Sequence, residues 1–178
     1  MTSELRVDKI VPTTGAPTSG GGGIIQVVSA TKTDTFSATA NQTVDITGLS
    51  VTITPKFATS KMLVMYTVNV GPTEGGYSAG VTLVRDSTEI FIGDAASNRP
   101  RISNFISISN TGGGTDYNMV NASGQHLDSP STTSAVTYKM IARNFHSQDL
   151  HINRSRIDSD SDVVARAASS ITVMEVSA

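Results

Sequence analysis

From Ile24 onward, apolar and polar residues alternate with a period near two, the spacing that sends successive side chains to opposite faces of a strand. The run Ile24-Ile25-Gln26-Val27-Val28 is rich in β-branched residues. In TVDITGLSVTITP, Val44 and Ile46 alternate with Asp45 and Thr47, and a second alternation follows through Leu49, Val51 and Ile53. Gly48 separates the two sets and shifts their register, which predicts a tight turn or a bulge, and Pro55 ends the strand. Lys61 to Val70 (KMLVMYTVNV) is apolar on both faces at its start and predicts a central strand covered on both sides.

Gly71-Pro72 and Gly75-Gly76 mark a loop. Val81 to Val84 and Glu89 to Ile92 flank Arg85-Asp86-Ser87-Thr88 as a hairpin. Ile102 to Ile108 predicts a strand, Gly112 to Gly114 a loop, and Tyr117 to Val120 a short strand. Val136 to Phe145 predicts a long strand with Val136, Tyr138 and Met140 on one face; Leu150 and Ile152 follow, and Ile171 to Val176 closes the series. Asp162 to Ser169 reads either as one or two helical turns or as a loop. About ten short strands punctuated by turns predict an all-β domain, a β-sandwich or jelly roll; the pattern does not give the strand order.

The first 23 residues differ. Leu5, Val7, Ile10 and Val11 form a small apolar set, followed by Pro12, Gly15, Pro17 and the run Gly20 to Gly23. Proline and glycine at this density make a joint rather than a packed element. The division expected is an extended arm and glycine-rich linker over 1–23 and a β-sandwich over 24–178; the plain alternative for the arm is a frayed terminus.

Composition agrees with strands and turns. The chain has 178 residues, 38% of them hydrophobic, 16% charged and 5% aromatic, with no tryptophan. That length suits one domain with an arm. A net charge of −2 and the absence of a long basic run argue against nucleic acid. Cysteine is absent, so packing or subunit association must supply stability. No run of 18 apolar residues predicts a membrane-spanning helix, and MTSELRVDKIVPTTG has no apolar core of signal-peptide length.

Candidate chemistry is sparse. His146 and His151 flank a predicted turn and could approach each other as metal ligands, but neither HExxH nor cysteine accompanies them or His126. Asp158, Asp160 and Asp162 have the spacing of the first calcium-loop carboxylates, yet Val163 stands where that loop needs glycine and Ser169 where it needs glutamate. The default is a solvated acidic loop beside Arg154 and Arg156, with a looser calcium site as the alternative. No GxSxG occurs, and the glycine run lacks the Lys-Ser/Thr of a phosphate loop. The sequons at Asn41, Asn121 and Asn153 read as chance occurrences without a secretory signal. The expectation is no enzyme, no cofactor and no metal.

Several segments carry a resemblance. SELRVDKIVPTTGAPTSGGGGIIQVV, GLSVTITP with TSKMLVMYTV, LVRDSTEI, LDSPSTTSAVTYKM, HINRS and ASSITVMEVSA span nearly the whole chain in order. Together they resemble tail-fibre-like virion structural proteins of marine phages, cyanophages in particular; the N-terminal peptide and LDSPSTTSAVTYK are the more specific pieces. The resemblance implies a virion role, an N-terminal attachment peptide, and a homotrimeric jelly roll similar to the C1q and tumour-necrosis-factor heads. It assigns no catalytic residue and does not separate tail from head.

On this reading, Leu5, Val7, Ile10 and Val11 dock on another virion protein (a tail adaptor, nozzle or capsid), with Arg6 and Lys9 adding charge pairing. Loops carrying Tyr77, Arg99, Arg101 and Tyr117 face outward, where they could stack on or hydrogen-bond a host-surface glycan; the plain reading is solvated turns. The alternative function is a capsid decoration or head-fibre protein with no receptor role. A soluble carbohydrate-binding module would want an aromatic platform, and a depolymerase would want clustered acids in a cleft.

Overall fold

The computed structural model describes residues 23–71, 78–107, 117–145, 147 and 149–177. Eleven strands lie among them: β1 (Ile24–Lys32), β2 (Phe36–Ala38), β3 (Thr43–Ile53), β4 (Lys61–Gly71), β5 (Ser78–Arg85), β6 (Thr88–Ile90), β7 (Asn104–Ser107), β8 (Val120–Asp128), β9 (Val136–Asn144), β10 (Leu150–Ile152) and β11 (Ser169–Val176). All pairings are antiparallel.

The first sheet runs β1-β11-β4-β8, with the short β10 pairing the far end of β4 and β2 pairing β10. The second runs β3-β9-β5, with β6 and β7 both on β5. The eight principal strands therefore pair in a nested order: β1 with β11, β3 with β9, β4 with β8 and β5 with β7. First meets last and fourth meets fifth, as when one long hairpin is rolled over on itself. That is the jelly-roll arrangement of two packed sheets.

The core lies between the sheets. Val64, Tyr66 and Val68 of β4, with Ile171 and Val173 of β11, face Leu49 and Val51 of β3 and Tyr138 and Met140 of β9. Alternation along each strand places these side chains inward. Gly48 lies inside a continuous β3 at φ 88°, where the register with β9 shifts between Asp45 and Ser50. It is a bulge; the positive φ that glycine tolerates lets both halves of β3 keep their apolar residues inward.

Several expectations are corrected. β4 is central, but only one face is covered: Met62, Val64, Tyr66, Val68 and Val70 are buried, while Leu63 and Met65 on the other face are half-buried. The strand expected over Tyr117 to Val120 instead begins at Val120 and continues to Asp128 through VNASGQHLD. Its composition is poor in strand formers, and nine residue pairs with β4 hold it. Asn104–Ser107 is shorter than the Ile102 to Ile108 expected, and Ile108 lies outside the described residues. Of the two readings of Asp162 to Ser169 the loop is the one found: no helix forms, and an isolated bridge joins Arg166 to Arg154 before β11 begins.

At the domain start, Gly23 extends the β1–β11 pair: its N–H donates to Ser177 Oγ at 3.1 Å and its carbonyl accepts from Ser177 N–H at 3.0 Å.

Candidate functional site

The proposed anchor residues Leu5, Arg6, Val7, Lys9, Ile10 and Val11 lie outside the described residues, as do Tyr77 and His146. Arg99 is exposed on the crossing between β6 and β7, where its N–H donates to Ala96 O at 3.1 Å. Tyr117 is exposed before β8, at the Val70 end of β4. Arg101 lines a groove beside His126, which pairs with Val64, about 20 Å further along β8 than Val120. The fold thus separates Tyr117 from Arg101 instead of gathering them into one site.

The first carboxylate of the acidic loop is taken up by arginines. Arg166 binds the Asp158 carboxylate directly, and Arg154 lies 3.9 Å from it. The first carboxylate of the spacing is thereby neutralised, and no cluster of three metal-ligating side chains occurs among the described residues.

The buried polar groups act as internal ties. Asp128 accepts from Arg85 Nη1 on both oxygens at 2.9 Å and from Tyr138 O–H at 2.6 Å. Burial, and then the neighbouring carboxylate, push the Tyr138 phenol far above its usual range. Glu175 is fully buried; burial opposes its charge, but hydrogen bonds led by Gln26 and joined by the N–H groups of Lys56 and Phe57 outweigh that and hold it below the usual value. His151 is buried, with its Nδ1 2.8 Å from Arg154 Nη2 and 3.0 Å from Ser37 Oγ. An arginine can only donate, so Nδ1 accepts and the proton sits on Nε2. Burial first, and the Arg154 charge second, lower this imidazole to about 4.

Two surface features remain. The first is the outward face of the β1-β11-β4-β8 sheet. Val27 pairs with Met174, Met174 with Leu63, and Leu63 with Leu127, a row of four apolar side chains crossing the whole sheet. Val27 and Leu127 at its ends are 52% and 55% exposed, which rules out burial within the chain. Ile24 and Val176, paired beside the row, extend it. Along these four strands Lys61 is the one charged residue on the outward register. The opposite sheet presents ion pairs instead: Lys139 with Asp45 at 2.8 Å, and Arg143 with Glu89 at 2.9 Å.

The second feature is an open groove of about 790 Å³ at the sandwich edge, between the β6–β7 crossing and β8. Phe91 forms its wall at φ 54°, a conformation that bulky side chains rarely adopt, and its ring lies over His126 with centroids 5.4 Å apart. It fits there because Gly124 has no side chain; a Cβ would sit 2.9 Å from the ring and 2.5 Å from Tyr66 Oη. Asn104 closes the edge beneath, accepting from Tyr66 O–H at 2.5 Å and donating to Ser123 O at 3.2 Å. Arg101 Nε donates to Gly93 O at 2.6 Å. Sequence reasoning missed Phe91 and the outward apolar row, and weighed His126 only against a metal role. The signal for the row was Leu63 and Met65 at alternate positions of KMLVMYTVNV, which read as two-sided burial.

No protein-family model matches the chain, and no curated protein matches it. Among solved structures, the structure of infectious bursal disease virus, Gx strain, is similar at a TM-score of 0.39 and 12% identity, over 93% of this chain and 43% of that chain. The chain therefore spans less than half the length of the chain it matches.

Proposed function

We propose that this protein is a non-catalytic structural component of a virion, a fibre or appendage subunit that assembles as a homotrimer. On this reading it attaches through residues 1–23 and presents its jelly roll outward for host-surface contact. The observation that supports it best is the outward face that bears the row Val27, Met174, Leu63 and Leu127, with Lys61 its one charged residue. A contiguous apolar patch of this kind marks a contact surface on a soluble domain. It carries almost no charge, so copies of it meet without like-charge repulsion, as a symmetric assembly requires. The resemblance to tail-fibre-like proteins of marine phages favours a virion setting and three copies. The alternative of a capsid decoration protein shares the same face and differs in location.

Light-scattering mass measurement of the full chain tests the reading. The expected result is three copies for the wild type and one copy for the double variant Leu63→Glu, Leu127→Lys, with the far-ultraviolet dichroism of a β-protein retained in both. A wild type that stays monomeric at tens of micromolar would remove the structural argument.

A further inference from the structure

We propose that the groove beside Phe91 is a binding site for an acidic saccharide unit, a pyranose bearing a carboxylate. The inference gives the host-contact part of the reading above a place and a ligand class, and rests on that reading only for its biological setting. Three features converge. Phe91 is 40% exposed although it is aromatic and sits at positive φ. Glycine would occupy that backbone without strain, so the position carries its aromatic ring at a conformational cost. Its exposed face offers the apolar C–H face of a sugar ring a surface to stack on.

Charge decides which sugar. Glu89 lines the groove, but Arg143 engages both of its oxygens and balances its charge. Among the described residues no carboxylate pairs with Arg101; its Nε donates to Gly93 O, and the residue lines the groove. A guanidinium with no carboxylate partner among the described residues suits one carboxylate of a ligand. A hydroxyl has a partner as well: Glu89, which lines the groove, retains unused lone pairs. Ile102 floors the groove between these polar groups. A neutral sugar would leave Arg101 unused, and a simple carboxylate would leave Phe91 uncovered.

Ligand-observed saturation-transfer NMR on the full-length protein tests this, with sodium D-glucuronate as probe and D-glucose and sodium acetate in parallel. Saturable transfer to glucuronate is expected, with weaker transfer to glucose and with acetate a poor competitor. Arg101→Gln should weaken glucuronate binding by about ten-fold or more, the loss of one charge-assisted contact, and leave the glucose signal unchanged. Phe91→Gly removes the ring at a backbone that glycine accepts and should abolish saturation by both sugars. Should that variant unfold, Arg101→Gln decides the matter alone, since its side chain is exposed and makes one hydrogen bond. No transfer to glucuronate in the wild type, transfer unaffected by Arg101→Gln, or acetate competing as well as glucuronate would each overturn the proposal. None of these results bears on the assembly reading, which is tested by mass on a different face.

Discussion

His151 shows how a single residue couples this fold to pH. Its neutral ring is fixed between Ser37 and Arg154, and its folded value of about 4 lies below the ordinary 6.5. The unfolded chain therefore takes up the proton first as pH falls. The stability linked to the neutral ring is complete above pH 6.5 and declines steadily toward pH 4, by about 3 kcal/mol if titration runs its course. Glu175 also has a lowered folded value, but its contribution is present above the ordinary carboxylate range and falls away only below it. The window from pH 6.5 to 4.5 thus isolates the histidine. The urea midpoint of the wild type should drop between pH 7 and 4.5, and His151→Gln should lower the midpoint at pH 7 while flattening that drop. A parallel decline in both proteins would assign it to other groups.

At the scale of elements, β8 carries the lesson. Asn121, Ser123, Gly124 and Gln125 are weak strand formers, and the sequence pattern alone stops at Val120. The strand exists because the edge of β4 offers a continuous row of backbone partners from Met62 to Val70. Gly124 is needed for a separate reason, the close approach of Phe91 and Tyr66. Gly124→Ala would thrust a methyl group between the two rings, and it should destabilise the domain by about 1–3 kcal/mol in chemical denaturation. It should also push Phe91 outward, readable as loss of ring-current shift on the His126 imidazole protons. If Gly124→Ala matches the wild type in both, Phe91 packs more loosely than its contacts indicate. β3, β9 and β11 were legible in sequence because clean alternation matches a one-sided core, whereas β2, with three residues, was too short to show a period.

For the whole molecule, the division of labour between the two outer faces matters most. Ion pairs cover one sheet, and an apolar row crosses the other. Gly23 begins the β1–β11 pair, so any tether carried by the preceding residues enters at the edge of the apolar sheet. If the first 22 residues serve attachment and the sheet serves assembly, the two functions separate by truncation. Removing residues 1–22 should leave the copy number in solution unchanged while abolishing incorporation into particles, measured by immunoblot of purified virions. Incorporation at the wild-type level would refute the anchor role, and dissociation to single copies would place the assembly contacts in the arm.

Local physics wrote much of this protein into its sequence: the all-β class, the register change at Gly48 and the inward sets of β3 and β9. Those follow from side-chain period and from the φ range of glycine, both of which act over a few residues. Only the tertiary structure decided the nested strand order, the location of Asp128 and Glu175 at buried ties, and the meeting of Phe91 with His126. These depend on segments far apart in the chain, and alternation reports only that a side chain faces a neighbour, not which one. The same ambiguity hid the outward row, because Leu63 obeys one period whether it meets a core of its own chain or a second molecule.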